Sequence, residues 1–187
     1  MQSLLSTLLI KEHDVILDAG TLICTNRGLW ISEPIEYEHN INHLLEFFSV
    51  YADTFHHQKE EEILFPAIAK KNEMAGVAVV SELLEHHENF RHLANQIRKA
   101  LDNKEFTEVQ ELLESYISLL KDHIAVENDE LFPMADDIFN PDELEKLYHK
   151  CIDKDTETGI TLKEEWKNQI IKLKLNEPDR PNIVKVQ

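Results

Sequence analysis

The chain has 187 residues, a formal net charge of −17 and two cysteines. Its size suits one domain, or one domain with a tail, large enough to bury a real core. The negative charge argues against nucleic acid and anionic membranes as partners, no apolar run reaches the ~18 residues a transmembrane helix needs, and the apolar start from Met1 to Ile10 lacks the basic lead of a secretion signal.

A cytoplasmic protein is expected, with Cys24 and Cys151 as buried or free thiols. Apolar residues recur at three-to-four spacing almost throughout, and the four glycines and six prolines are few, so the chain reads as all-α. A first helix is predicted from Leu4 to Thr25, stopped at Asn26-Arg27-Gly28. Ser32, Glu33 and Pro34 start a second, which ends near Lys71-Asn72. A third runs from Met74 to Asp102. A fourth starts between Glu105 and Thr107, with Thr107 and Gln110 spaced for a capping box, and ends near Asp136. Short connections favour an antiparallel up-down-up-down four-helix bundle over residues 1–138. Residues 139–187 read as a helical extension packed on it. Asn140-Pro141-Asp142-Glu143 is a strong helix start, a last amphipathic helix spans Thr161 to Leu175, and the tail from Asn176 to Gln187 is irregular.

One pattern occurs twice. His56 is followed four residues later by Glu60 and then by Leu64-Phe65-Pro66. His123 is followed four later by Glu127 and then by Leu131-Phe132-Pro133. A four-residue step keeps both members of a pair on one helix face. Stepping back from His56 meets Ala52, Phe48 and Leu45; from His123 it meets Leu120, Tyr116 and Leu112. Both pairs therefore continue apolar stripes into the core. A buried carboxylate without a partner costs several kcal/mol or more, and a metal dication would offset that cost. His87, rather than His86, continues the line of Val80, Leu83, Ala94 and Leu101, and His13 lies between Leu9 and Ile16.

The candidate metal ligands are His13, His56, Glu60, His87, His123 and Glu127. At about 1.5 Å rise per residue, His56, His87 and His123 fall near one level of an antiparallel bundle. His13 fits that level only if residues 26–33 climb along the bundle. Four imidazoles and two carboxylates suit two first-row ions, with carboxylates bridging. Iron leads, manganese is second, and zinc, without redox chemistry, is third. His57 and Glu61 share a face with Asp53 and Thr54 and read as solvent-exposed, as do His39, His43 and His92. Pro66 and Pro133 each mark a kink or a helix end.

At these residues the sequence resembles the hemerythrin-like (HHE cation-binding) family. The likeness rests on Lys11-Glu12-His13, on His56-His57 with Lys59-Glu60-Glu61 before Leu64-Phe65-Pro66, on Glu85-His86-His87-Glu88 with Arg91, and on His123 with Glu127 before Leu131-Phe132-Pro133-Met134. It covers roughly residues 5 to 150. The resemblance implies a four-helix bundle around two oxo- or hydroxo-bridged iron ions that bind oxygen or nitric oxide. Oxygen-storing relatives carry two ligand histidines four apart on the third helix. Here Arg91 takes the second place, which points away from simple oxygen carriage and leaves a coordination position open.

Three functions follow from this reading. The first is a protein that binds or senses a small diatomic, oxygen or nitric oxide. The second is a di-iron enzyme, an oxidase, peroxidase, nitric oxide reductase or iron–sulfur repair factor, acting on such a ligand or on peroxide, with Tyr116 as the nearby proton source. The third is a metal-dependent sensor whose segment from Asn140 to Leu175 meets a protein partner or a second copy of the chain.

Overall fold

The computed structural model describes residues 2–175, and within them the chain is helical throughout, with no strand. Helix α1 (Leu4–Thr25) is capped by Ser3, whose hydroxyl accepts from the Ser6 amide. Gly28, at φ 79°, turns the chain into the short α2 (Leu29–Ser32); this left-handed conformation favours glycine. Ser32 therefore ends α2, and the next helix, α3 (Pro34–Phe47), starts on Pro34.

Helix α3 runs without a break into two π-helical stretches, Phe48–His57 and Glu60–Leu64, and then into α4 (Phe65–Lys71). Together they form one rod over 34–71. The next rod begins with α5 (Glu73–Ala75) and a π-helical turn, Gly76–Val80, and continues as α6 (Ser81–Asp102). Helix α7 (Phe106–Val126) passes through a π-helical turn, Glu127–Leu131, into α8 (Phe132–Ile138). The twin Leu-Phe-Pro motifs behave alike: the Phe65 amide donates to the Glu60 carbonyl and the Phe132 amide to the Glu127 carbonyl, each five residues back. Proline follows directly, at the first turn of α4 and of α8, where its missing N–H is tolerated.

The capping box expected of Thr107 and Gln110 does not form. Glu105 stands at the start of α7 without a side-chain cap, because Gln110 is buried and occupied: its carbonyl accepts from the Tyr37 hydroxyl and its amide donates to Glu114. The box at Asn140 and Glu143 is present, with Pro141 in the first turn of α9 (Pro141–Thr158). Helix α10 (Ile160–Leu175) follows. The tail predicted from Asn176 lies outside the described residues.

Two apolar clusters fill the interior. One gathers Ile16, Ile23, Phe47, Ala52, Phe90, Leu120 and Ile124; the other gathers Leu5, Leu9, Leu64, Leu83, Leu131 and Phe132. Each long rod passes from one to the other at its candidate ligand positions. His13 falls between Leu9 and Ile16, His56 between Ala52 and Leu64, His87 between Leu83 and Phe90, and Glu127 between Ile124 and Leu131. A polar layer therefore separates two dry ones, and His13 reaches it because residues 26–33 carry the additional turn α2. Helices α9 and α10 pack against α1, with Cys151 in the second cluster and Trp166 and Ile170 in the first.

Candidate metal centre

Seven side chains meet in the polar layer: His13 from α1, His56, His57 and Glu60 from the 34–71 rod, His87 from α6, His123 from α7, and Glu127 from the π-helical turn after it. Each is at most 1% exposed. The burial of His57 corrects the expectation of a solvent face, and the backbone gives the reason. A π-helix bonds i to i+5, so each residue turns by less than the roughly 100° of an α-helix. The stretch Phe48–His57 is π-helical, and neighbouring His56 and His57 both turn inward. Glu61 is half-buried rather than solvated, and His43 is half-buried against the Trp166 ring, while His39 and His92 are exposed.

The hydrogen bonds fix where the lone pairs point. His13 Nδ1 lies 2.8 Å from Asn128 Oδ1, and His56 Nδ1 lies 2.8 Å from Glu12 Oε2. Both partners are acceptors, so both Nδ1 atoms donate, leaving a lone pair on each Nε2. Those two Nε2 atoms face each other at 2.8 Å. His87 Nδ1 donates to Glu61 Oε1 at 2.7 Å, which leaves its Nε2 with a lone pair and no hydrogen-bond partner. All four carboxylate oxygens of Glu60 and Glu127 and both nitrogens of His123 also lack hydrogen-bond partners while buried. Orphaned polar atoms this deep need a compensating group.

A metal cation fits that need. Donors about 2.1 Å from one ion lie roughly 3.0–3.4 Å from each other. Glu127 Oε2 is 3.1 Å from His13 Nε2 and 3.2 Å from His123 Nε2, and Glu60 Oε1 is 3.4 Å from His56 Nε2. Glu60 Oε2 is 3.7 Å from His87 Nε2. The donors form two sets, His13/His56/Glu60/Glu127 and Glu60/His87/His123/Glu127, each with its ligand atoms within 4.8 Å of one another. The two glutamates belong to both. A third group, His57/His87/His123, meets the same criterion, and the His57 and His87 rings stack at 3.9 Å.

The electrostatics match. Burial holds the His13, His56, His87 and His123 rings below their ordinary range, and His57 falls to about 4, so all five are neutral and able to ligate. Burial, then the neighbouring Glu127 carboxylate, pushes Glu60 well above the usual carboxylate range; burial pushes Glu127 up to about 8. Without a cation this pair resists ionisation.

Arg91 donates to Asp53, Glu61 and Glu88. Asp53 in turn pairs with His57 Nδ1 and Glu61 with His87 Nδ1. Burial opposes the Asp53 charge, but the bonds from His57 and Arg91 outweigh it and hold that carboxyl down to about 2. Beside them lies a pocket of about 300 Å³ lined by Phe48, His57, Phe90, Arg91, Arg98 and Tyr116. Burial pushes the Tyr116 phenol up, so it keeps its proton at neutral pH.

A family model described as the hemerythrin HHE cation-binding domain matches residues 4–135. The chain belongs to that family. The chain is accordingly a hemerythrin-like metal-binding domain, and its histidine and glutamate clusters are able to hold a metal. The match ends within α8, so α9 and α10 lie beyond it. No curated protein and no solved structure matches the chain. Glu12 and Asn128, each next in sequence to a candidate ligand, accept hydrogen bonds from His56 and His13; periodicity gives no reason to single them out.

Proposed function

We propose that this hemerythrin HHE chain is a non-haem di-iron protein that binds or senses a small diatomic, oxygen or nitric oxide. The observation that carries the reading is the sharing of Glu60 and Glu127 between two donor sets whose lone pairs converge. One ion is held by His13, His56, Glu60 and Glu127. The other is held by Glu60, His87, His123 and Glu127, with His57 as a further histidine in the region of the departure at Arg91. Carboxylates that reach both sets favour a pair of first-row ions; iron is chosen over manganese and zinc for its redox range. When bound, the pair supplies Lewis acidity and one-electron chemistry toward the diatomic.

The chain's own residues do the rest. Glu12, Glu61 and Asn128 hold three imidazoles by their second nitrogens. Phe90 and Phe132 wall the layer. The pocket beside His57 offers a small ligand an approach, with the protonated Tyr116 on its wall. The way successive rods alternate between the apolar clusters supports an up-down-up-down bundle over 1–138, carrying a C-terminal extension over 139–187. Among the described residues no helix is long and apolar enough to cross a membrane, and we place the protein in the cytoplasm.

The test is anaerobic loading with ferrous iron followed by oxygen or nitric oxide. Reversible spectral change at one equivalent supports binding or sensing. Steady consumption of the diatomic would replace this reading with an enzymatic one, and no spectral response would refute both.

A further inference from the structure

A closed ring of buried charges stands behind His56. Glu12 is 3% exposed, Lys59 0%, Asp155 2% and Lys163 5%. The Lys59 ammonium donates to Glu12 Oε1 and, at 2.9 Å, to Asp155 Oδ1. The Lys163 ammonium donates to the same Glu12 oxygen, at 2.5 Å, and to Asp155 Oδ2. Two cations and two anions thus alternate, and each carboxylate is tied on two sides. The other oxygen of Glu12, Oε2, is left for His56 Nδ1.

Two of these four residues come from outside the family match. Asp155 sits on α9 and Lys163 on α10, whereas Glu12 and Lys59 belong to the bundle. Buried ion pairs are weak evidence for stability, since apolar residues of the same volume often do as well, so a ring of four asks for another reason. Orientation supplies one. A glutamate side chain has three rotatable bonds, and Glu12 is pinned only by what holds Oε1. An outer partner that fixes a ligating histidine commonly changes metal affinity 10–100-fold when removed.

We infer that Asp155 and Lys163 are positioning residues of the metal centre, through which the C-terminal helices hold Glu12, and through it His56, in ligating register. The inference rests on the ligand assignment proposed above. It makes the extension a working part of the His13/His56 donor set rather than a cover, and leaves the His87/His123 set independent of it.

Cobalt(II) titration of the full chain, followed by visible absorption and metal count, tests this. The wild type binds two ions. Lys163→Met, and separately the charge-balanced pair Asp155→Asn with Lys163→Met, which leaves Glu12 and Lys59 matched, bind one ion unchanged. The second is weakened 10–100-fold, with a changed absorption band, and Lys163→Arg restores both. Equal weakening of both ions, or two ions held as tightly as in the wild type, overturns the inference while the proposed function stands. A wild type that binds fewer than two ions overturns the ligand assignment first, and this inference with it.

Discussion

Glu127→Gln separates what the metal centre does for function from what it does to the bare fold. Burial lifts the Glu127 carboxyl from its ordinary 4.5 to about 8. A group raised in the folded state contributes stability that is present below about pH 4.5 and lost as pH rises towards 8. At pH 7 the solution is about 2.5 pH units above the unfolded midpoint, and each unit is worth about 1.4 kcal/mol, so the metal-free fold forgoes about 3 kcal/mol. Glutamine keeps the shape and removes the ionisation. The metal-free variant should therefore be more stable than the metal-free wild type by about 2–3 kcal/mol at pH 7, a rise of roughly 4–12 °C in melting temperature for a chain of this size. The gain should shrink to nothing near pH 4.5. The metal-loaded comparison should reverse, because the wild type gains binding energy the variant has lost. Thermal melts with and without chelator at pH 5 and pH 7 read both effects. A metal-free variant less stable than the metal-free wild type at pH 7 would refute the reasoning.

Further outcomes follow from the same geometry. His57→Phe should weaken one of the two ions at least tenfold, read by metal titration, and unchanged affinity for both would make His57 an outer residue. Arg91→Met should lower stability by no more than about 1 kcal/mol, since Arg91 is partly exposed, yet weaken metal at the His87 side by releasing Glu61 and Asp53. Cys24 is exposed, whereas burial pushes the Cys151 thiol up from 9.0 to about 12, about a thousandfold less thiolate at pH 8. Iodoacetamide should label one cysteine per folded chain and two after denaturation, counted by intact mass; two labels on the folded chain would contradict the burial.

Much of this was legible in the residues. The twin His-x-x-x-Glu patterns before Leu-Phe-Pro sit on apolar stripes, and α-helical spacing alone turns them inward. Asn140-Pro141 started its helix as capping chemistry requires. What spacing could not reach was the local change of helix type. A uniform α-helix sends His57 more than a quarter turn away from His56; the π-helical stretch Phe48–His57 narrows that step, and both rings lie in the core. Pro66 and Pro133 hinted at irregular bonding upstream, without saying how far it extends. The ring of Glu12, Lys59, Asp155 and Lys163 spans 151 positions of sequence between Glu12 and Lys163, so it is a product of tertiary packing that no local pattern records.

The central claim is a pair of ions held jointly by Glu60 and Glu127. Metal analysis of the protein purified from iron-supplied cells, beside Glu60→Ala and Glu127→Ala, tests it most directly. The account predicts close to two irons per wild-type chain and the loss of at least one from each variant. Less than one metal per chain, zinc alone, or both irons retained in either variant would contradict it.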